Sequence, residues 1–385
     1  MTSAVTSDTV SRRVTTRSIG RRKALALSGT PPDPGRPYGP AKPATMKDVA
    51  TKAGVAQSTV SRVLNDAPSP VAIAPTTRDR IFAAARDLSY RPNQLARALR
   101  GMKTMLLGVI VADITDPFFG SAMEAASIEA SRRGYNIVLG HARGTDDPLV
   151  LWRVLEARRC DAIVLLGDIR DQPRMIEDLC GAPIPVVAVG PATTWAASIG
   201  VDNWAGVAAL LDHLVGLGHH RIGFIAGHRR GDILEREEAY IDYMTRLNGP
   251  PPEGYRQHAT DDTTGGGDAL EAILDLPDPP TAVIASTDVL AMGVLHAAHE
   301  RGIRVPDHLS VTGFGDVPLA AFTVPAMTTV RVHVPEMVTA AIRVALEDAD
   351  DSGISGRPLA RLVEPSLVVR KSTGPRRLTE EPLDI

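Results

Sequence analysis

The amino-acid sequence predicts an N-terminal all-α helix-turn-helix domain followed by a two-lobed α/β domain. Apolar residues recur with helical spacing over residues 46–100, whereas from Met105 onward short β-branched runs alternate with amphipathic helices. The charge divides in the same way, since residues 1–105 carry 18 lysines and arginines against 6 acidic residues in a chain of net charge −3. A basic head on an acidic body indicates that the head meets a polyanion.

The chain has the size and composition of a multi-domain globular protein. Its 385 residues correspond to two or three domains. With 44% hydrophobic and 23% charged residues, it can bury a large core. No stretch reaches the roughly 20 consecutive apolar residues of a membrane span, so we exclude an integral membrane protein and expect no membrane partner.

The two cysteines, Cys160 and Cys180, are too few for a disulfide framework or a zinc cluster, which fits a reducing, cytoplasmic compartment. Two arginine pairs near the start resemble a twin-arginine export signal, but the apolar stretch after them is too short. Residues 1–45 mix Ser, Thr, Arg, Gly and Pro without an apolar period and predict a disordered basic tail. Its charge either attracts phosphates or only keeps the chain soluble.

Residues 46–92 form the predicted helix-turn-helix domain. In its first helix, Val49 and Ala53 lie at i and i+4, and Gly54 suits the left-handed turn that ends the helix. In its second helix, Val60 and Val63 share one face. Two short helices joined by a three-residue turn that contains glycine are typical of this DNA-binding motif.

The opposite face of the second helix carries groups suited to reading bases. Arg62 can donate two hydrogen bonds to guanine, Gln57 can bond adenine bidentately, and Ser58 lies beside them. Contacts to phosphates fix register rather than sequence, and we assign them to Lys52, Thr59, Ser61 and Asn65. Each residue taken alone is compatible with an ordinary solvated surface, whereas the set beside a basic domain favours DNA.

Residues 105–370 alternate strands and helices in the manner of parallel βαβ units. The predicted strands are MLLGVIVAD, NIVLG, AIVLLG, PVVAVG, RIGFIAG, TAVIAS and LSVTGF, and predicted helices include 118–133, 204–217 and 288–301. About seven strands exceed one comfortable sheet, which favours two lobes with a cleft at the carboxyl ends of the strands. The body is therefore expected to receive a small molecule, and residues 371–385 to form a C-terminal tail.

Polar and aromatic side chains follow the first predicted strand, where such a cleft would form. Asp116, Phe118 and Phe119 lie there in a chain with only 4% aromatic residues. They either line the cleft or pack their rings into the core at the start of a helix.

The sequence resembles the LacI/GalR family of bacterial transcriptional regulators. The resemblance is carried by KDVATKAGVAQSTVSRVLN, by TRDRIFAAARDLSYRPNQLARALR and, with interruptions, by the chain to about residue 370. It implies a periplasmic-binding-protein-like effector domain. Ala56 departs from the serine that often caps the family's recognition helix, a loss of roughly 1 kcal/mol, and the connection APSPVAIAP is longer than usual.

Residues 93–104 resemble the family's hinge helix and linker. A helix of eight or nine residues is too short to be stable alone, so it should form only with a partner. The resemblance implies that two such helices pair in a homodimer and enter the minor groove, with Leu99 as a wedge between base pairs. The hinge residues assigned to the groove are Asn93, Leu95, Ala96, Arg97 and Leu99. The alternative is an ordinary linker helix.

Further along the chain, the resemblance indicates an effector site. Arg236 stands in a segment similar to the family's Arg-x-x-Gly-Tyr/Trp motif, although a surface salt bridge to Glu235 or Glu238 is the alternative. Thr287 replaces the usual Asn, and Gly315 replaces an Asp that binds effector, which leaves room for an unusual or more anionic ligand, or for none. The effector residues are expected to be Asp116, Phe118, Phe119, Arg236, Thr287, Asp288, Phe314 and Asp316.

We predict that the protein is a sequence-specific transcriptional regulator. It would repress transcription by binding operator DNA, and a small-molecule effector would control its affinity for the operator. A solute receptor without a DNA-binding role would lack the recognition helix, and an enzyme would need a reactive constellation that the sequence does not contain. The adjacent His219 and His220 have no third ligand nearby, so we expect neither metal nor cofactor. The last residues lack leucine heptads, which favours a dimer over a tetramer.

Overall fold

The computed structural model describes residues 44–64, 73–90, 103–142, 160–228, 231–347 and 360–376. The chain divides into two compact units, Met1–Pro92 and Asn93–Ile385. Most of the predicted tail, Asn65 and the hinge residues 93–99 lie outside the described residues.

The first unit contains three helices that enclose a small apolar core. They are α1 (Met46–Ala53), α2 (Gln57–Leu64) and α3 (Pro75–Asp87). The buried side chains of this core are Val49, Ala50, Ala53, Val60, Val63, Ile81, Ala84 and Ala85. The predicted inward-facing residues of α1 and α2 are thus buried, because the helical period places them on the faces that meet α3.

A capping box and a left-handed glycine bound α1. The Thr45 hydroxyl accepts a hydrogen bond from the Asp48 backbone N–H, and the Asp48 carboxylate accepts one from the Thr45 backbone N–H. Thr45, which was assigned to the tail, therefore belongs to the folded unit, and its Thr-x-x-Asp spacing is the signal that indicates so. At the other end, Gly54 has φ +65° and opens the three-residue turn to α2.

The second unit contains two six-stranded sheets and seven further helices among its described residues. The strands are β1 (Leu106–Val111), β2 (Asn136–His141), β3 (Ala162–Leu166), β4 (Val186–Val189), β5 (Ala197–Val201), β6 (Ile222–Ala226), β7 (Arg256–His258), β8 (Ala282–Ala285), β9 (Ser310–Gly315), β10 (Thr328–Arg331), β11 (Ala360–Val363) and β12 (Ser366–Val368). The helices are α4 (Pro117–Arg132), α5 (Pro173–Cys180), α6 (Asn203–Gly216), α7 (Gly231–Asn248), α8 (Thr263–Leu274), α9 (Asp288–Glu300) and α10 (Val334–Glu347).

Each sheet is the centre of one lobe. The first lobe has the strand order β11-β5-β4-β3-β1-β2, and all of its pairs are parallel. The second has the order β12-β10-β9-β8-β6-β7, in which only β12 runs antiparallel to its neighbour. The predicted two-lobed α/β fold is confirmed. The residues predicted to bind an effector lie near or beyond the carboxyl ends of strands.

Within the residues that the structure describes, the chain crosses between the lobes three times. The crossovers lie at Asp202 between β5 and α6, at residues 332–333 between β10 and α10, and at residues 364–365 between β11 and β12. They are bonded to one another, since the Asp202 backbone N–H donates to the Val363 carbonyl and Ser366 Oγ lies 3.2 Å from His333 Nε2.

The seven predicted strands are all present, and five more were missed. The missed strands are β5, β7, β10, β11 and β12. They are three to five residues long and contain polar or charged residues, so they lack the continuous apolar run that marks most of the predicted strands. The ordered chain also extends past the predicted boundary at 370, because the fully buried Ser372 donates to the Val311 carbonyl and accepts from the Thr328 backbone N–H.

Candidate DNA-binding surface and effector site

The solvent face of α2 presents the three side chains predicted to read bases. Gln57, Ser58 and Arg62 are exposed, whereas Val60 and Val63 on the opposite face are buried. The two faces are separated because the helix advances 100° per residue. A surface of amide, hydroxyl and guanidinium groups, held by a packed helix, can donate and accept hydrogen bonds at base edges.

The residues predicted to touch phosphates surround this face. Thr59 and Ser61 are half-buried on α2. Lys52 lies on α1, where its Nζ forms an ion pair of 2.8 Å with Asp87 of α3, so a phosphate contact would have to compete with this carboxylate. Both side chains are exposed, so burial does not hold the ion pair between Lys52 and Asp87 together when a phosphate replaces Asp87.

Arg236 is a buried charged side chain of the second unit. It lies on α7 and is 8% exposed. Its Nε donates to Asn203 Oδ1 at 2.8 Å, and its Nη1 donates to the Ser286 carbonyl at 2.7 Å. The guanidinium carbon lies 3.8 Å above the centre of the Phe314 ring. Because the Arg236 side chain is buried, the alternative of a surface salt bridge to Glu235 or Glu238 is excluded. The remaining nitrogen, Nη2, takes no part in the hydrogen bonds to Asn203 and Ser286.

Several carboxylates surround this arginine. Burial lowers the pKa of Arg236, and the charges of Asp232, Asp288, Glu235 and Asp116 act in the opposite direction. Asn203 Nδ2 donates to both Asp232 and Glu235 at 2.8 Å, and so fixes two of these carboxylates beside the guanidinium.

Asp116, at the start of α4 in the first lobe, also lies close enough to Arg236 to affect its pKa. It caps α4 by accepting a hydrogen bond from the Phe118 backbone N–H at 2.8 Å. Burial raises the pKa of its carboxyl, the charges of Asp113 and Asp261 raise it further, and Arg236 lowers it. Asp261 and Arg236 belong to the second lobe, so charges from both lobes meet at the predicted cleft.

Phe118 and Phe119 pack at the start of α4, as one of the two alternatives for them predicts, whereas their contact with an effector stays a prediction. Their rings form an edge-to-face pair with centres 5.3 Å apart, and both are half-buried. Phe118 packs against apolar residues of both lobes. The pair is therefore part of the core at the start of α4 and part of the contact between the lobes.

Asp288 lies close to Gly315, whereas Thr287 caps the helix in which Asp288 lies. Thr287 caps α9 by accepting a hydrogen bond from the Leu290 backbone N–H. Asp288 is buried and accepts hydrogen bonds from Thr329 Oγ1 and from the Val317 backbone N–H. A Cβ placed on Gly315 would lie 3.2 Å from Asp288 Oδ2, so a carboxylate at position 315 would crowd another one.

The contacts of Asp316 differ from those expected of an effector-binding residue. One of its carboxylate oxygens accepts a hydrogen bond from Arg331 Nε and the other accepts one from Arg370 Nη2, both at 2.6 Å. The Asp316 side chain is nearly buried between these two arginines. The geometry therefore favours a structural role for Asp316 over the predicted contact with an effector.

Asn203 is the site residue that sequence reasoning missed. It is 1% exposed and connects Arg236 with two carboxylates. An asparagine that opens a helix one residue after a strand was the available signal. His219, by contrast, is buried with one ring nitrogen on Thr281 Oγ1 and the other on the Gly374 carbonyl.

Two family models match the chain. The model described as bacterial regulatory proteins, lacI family, matches residues 45–93, and the model of a periplasmic binding protein-like domain matches residues 211–373. Among curated relatives, the regulator GalS of Salmonella typhimurium is 33% identical over an alignment of 345 residues that covers 86% of this chain and 97% of GalS. The repressor CytR of Escherichia coli is 31% identical over 86% of this chain and 96% of its own length.

Solved structures agree with these relatives. The lac repressor dimer bound to operator and an anti-inducer matches with a TM-score of 0.76 at 25% identity, over 86% of this chain and all of that one. A complex of the regulator CelR with cellobiose matches with a TM-score of 0.65 at 26% identity, over 86% of this chain and 99% of the other. The chain belongs to the LacI family of bacterial regulatory proteins. The predicted family, the fold and the function of a helix-turn-helix transcriptional regulator are confirmed.

Proposed function

We propose that this protein is a repressor that binds operator DNA as a homodimer and changes its operator affinity when a small molecule occupies the cleft. The observation that carries the DNA-binding part is the exposed polar face of α2, opposite the buried Val60 and Val63. Gln57, Ser58 and Arg62 would read bases, and Lys52, Thr59, Ser61 and Asn65 would contact phosphates. The hinge residues Asn93, Leu95, Ala96, Arg97 and Leu99 would enter the minor groove.

The DNA-binding part is tested by selecting operator sequences with the full-length chain and measuring affinity at several salt concentrations. Arg62→Ala should relax the base preference at one position, at a cost of about 1 to 3 kcal/mol. Arg80→Ala removes the same charge from an exposed position on α3 and is the matched control. An equal loss on every sequence would mean that Arg62 touches only phosphate, and the absence of salt-sensitive binding would contradict the function itself.

The effector proposed for the cleft is a neutral, hydroxyl-rich or cationic compound. Arg236 supplies one positive charge, and Asp116, Asp232, Glu235 and Asp288 lie close enough to it to affect its pKa. An added phosphate would have to approach these carboxylates, which costs free energy in a partly desolvated site. The sequence left an anionic ligand possible, because Gly315 replaces an acidic residue. The excess of carboxylates around Arg236 argues against such a ligand.

A thermal-shift screen of matched compounds tests the charge of the effector. Sugars, amino sugars and nucleosides are compared with their phosphates and acids, because a ligand of the folded state raises the melting temperature by mass action. We expect stabilisation by uncharged or cationic members only, and its loss in Arg236→Met but not in Arg246→Met, whose arginine is exposed on the same helix. Stabilisation by the phosphates would overturn the proposed charge class.

The homodimer is supported by an uncovered apolar patch on the second lobe. Leu319, Phe322 and Val324 are 54%, 81% and 91% exposed, around the short helix Pro318–Ala321. Exposed apolar side chains in such a cluster mark a protein-binding surface, and a second copy of the chain is the proposed occupant.

We place the protein in the cytoplasm, where operator DNA is found, and propose that it has no catalytic activity. Its relatives are transcriptional regulators. No helix among the described residues combines the length and apolar character that spanning a bilayer demands. Turnover of a cleft ligand by the purified chain would contradict the non-catalytic assignment.

A further inference from the structure

The ring of Phe314 lies between the arginine of the cleft and the crossovers between the lobes. Phe314 is the fifth residue of β9 and is 3% exposed. One neighbour of the ring is the guanidinium of Arg236, at 3.8 Å from its centre. Another is Gly206 on α6, where an added Cβ would lie 2.7 Å from Cζ and 2.8 Å from Cε2 of the ring. No side chain other than hydrogen fits at position 206 unless the ring moves.

Each of the three crossovers lies close to Phe314 or to a residue that it contacts. Gly206 lies in the first turn of α6, four residues after the crossover at Asp202. The same added Cβ would lie 3.3 Å from Cγ of Pro365, in the third crossover. Next to Phe314 in β9, the Gly315 carbonyl accepts a hydrogen bond from the Val332 backbone N–H in the second crossover.

A second connection joins Arg236 to the first crossover. Its Nε donates to Oδ1 of Asn203, the first residue of α6 and the neighbour of Asp202. Arg236 therefore contacts this region twice, through a hydrogen bond and through an aromatic ring. Both contacts are buried, and closely packed interiors transmit displacements because they contain few voids that could absorb them.

We infer that Phe314 and Asn203 form a mechanical link through which a change at Arg236 reaches all three lobe crossovers. This inference deepens the proposed function, because a ligand that draws the guanidinium away from the ring would release the packing on Gly206, which lies beside Pro365. The arrangement of the lobes would then shift toward the state that the ligand binds better. Phe314 and Asn203 are positioning residues in this scheme, and Arg236 is the group that meets the ligand.

The link can be tested on the full-length chain without DNA or effector, by hydrogen–deuterium exchange. Arg236→Met removes the guanidinium and keeps an apolar side chain of similar length. We expect amide exchange in residues 202–207, 332–334 and 363–366 to accelerate by about tenfold, which corresponds to about 1.4 kcal/mol of local opening free energy. Arg246→Met, on the exposed side of the same helix, should leave these segments unchanged.

Gly206→Ala tests the link from the other end, since coupling between two places is reciprocal. We expect faster exchange around residue 236 when the added methyl displaces the Phe314 ring. Gly216→Ala is the matched control on α6, because an added Cβ there meets nothing within 4 Å. This variant also keeps the inference testable if Arg236→Met does not fold.

Two results would overturn the link. One is acceleration of α7 alone in Arg236→Met, with unchanged crossovers, and the other is uniform acceleration throughout both lobes, which would mean general destabilisation. Because neither ligand nor DNA enters the measurement, a chain without operator binding could still contain the link. Conversely, a chain that binds its operator as a repressor could lack the link. Failure of the link and failure of the proposed function are therefore distinguishable.

Discussion

A guanidinium as buried as that of Arg236 costs free energy unless neighbouring groups compensate its charge. Here Asn203, the Ser286 carbonyl and the Phe314 ring compensate part of that cost, since burial still lowers the pKa of Arg236. Asn203 in turn holds Asp232 and Glu235. The sequence identified the arginine through its motif, whereas its partners come from three other segments and were found only in the folded chain.

Asp288 gives a pH dependence of stability with a defined sign. Burial raises its pKa from 3.8 to about 6, although Thr329 and Val317 donate hydrogen bonds to it. The cost of the buried charge is thus fully present above pH 6 and is relieved as the pH falls toward 3.8. We expect Asp288→Asn to be more stable than the unmodified chain at pH 7 and to lose about 1 kcal/mol of that advantage by pH 5.

Urea denaturation of both proteins at pH 7, 6 and 5 measures this difference. Taking the difference removes the opposing effect of His213 and His219, whose pKa values are lowered by burial and which are present in both chains. A difference in unfolding free energy that stays constant over this range would contradict the raised pKa of Asp288.

At the scale of elements, α1 and α2 are only eight residues long, too short to be stable by themselves. They persist because Val49 and Val60 are fully buried in the shared core and because α1 is capped at both ends. The sequence predicted both helices and their turn from periodicity and from Gly54. It did not use the capping signal at Thr45, and so began the folded unit one residue late.

Thr45→Ala should destabilise the first unit by about 1 kcal/mol, because it removes the side chain that accepts from the Asp48 N–H. Thr51→Ala is the matched control, since Thr51 is exposed within α1 and its hydroxyl bonds only the preceding turn at Lys47. Helical circular dichroism during thermal unfolding compares the two variants. Equal melting temperatures would show that the capping box contributes nothing.

At the scale of the whole molecule, the two lobes are joined by three crossovers that hydrogen-bond with one another. Chain connections of this kind allow one lobe to move relative to the other when a ligand binds between them. The apolar patch at Leu319, Phe322 and Val324 lies in the second lobe, in the segment between β9 and β10. We propose that a second copy of the chain covers this exposed patch, whereas the ligand meets the buried Arg236.

Phe322→Ser should weaken the homodimer by at least about tenfold, since a central aromatic anchor of an interface contributes more than 1 kcal/mol. Sedimentation velocity over a range of concentrations measures the change. Leu247→Ser is the control, because Leu247 is a partly exposed apolar residue of α7. A dimer that is unaffected by Phe322→Ser and weakened by Leu247→Ser would place the interface elsewhere.

The sequence by itself determined the two-part architecture, seven of the twelve described strands and the polar face of α2, because each of these depends on the pattern of neighbouring residues. It also located Arg236. Only the tertiary structure decided that Asp316 is held by Arg331 and Arg370, that Asn203 holds Arg236, and that Phe314 fills the space beside Gly206. These contacts join residues far apart in the chain, and packing and hydrogen bonding across such distances leave no periodic trace in the sequence.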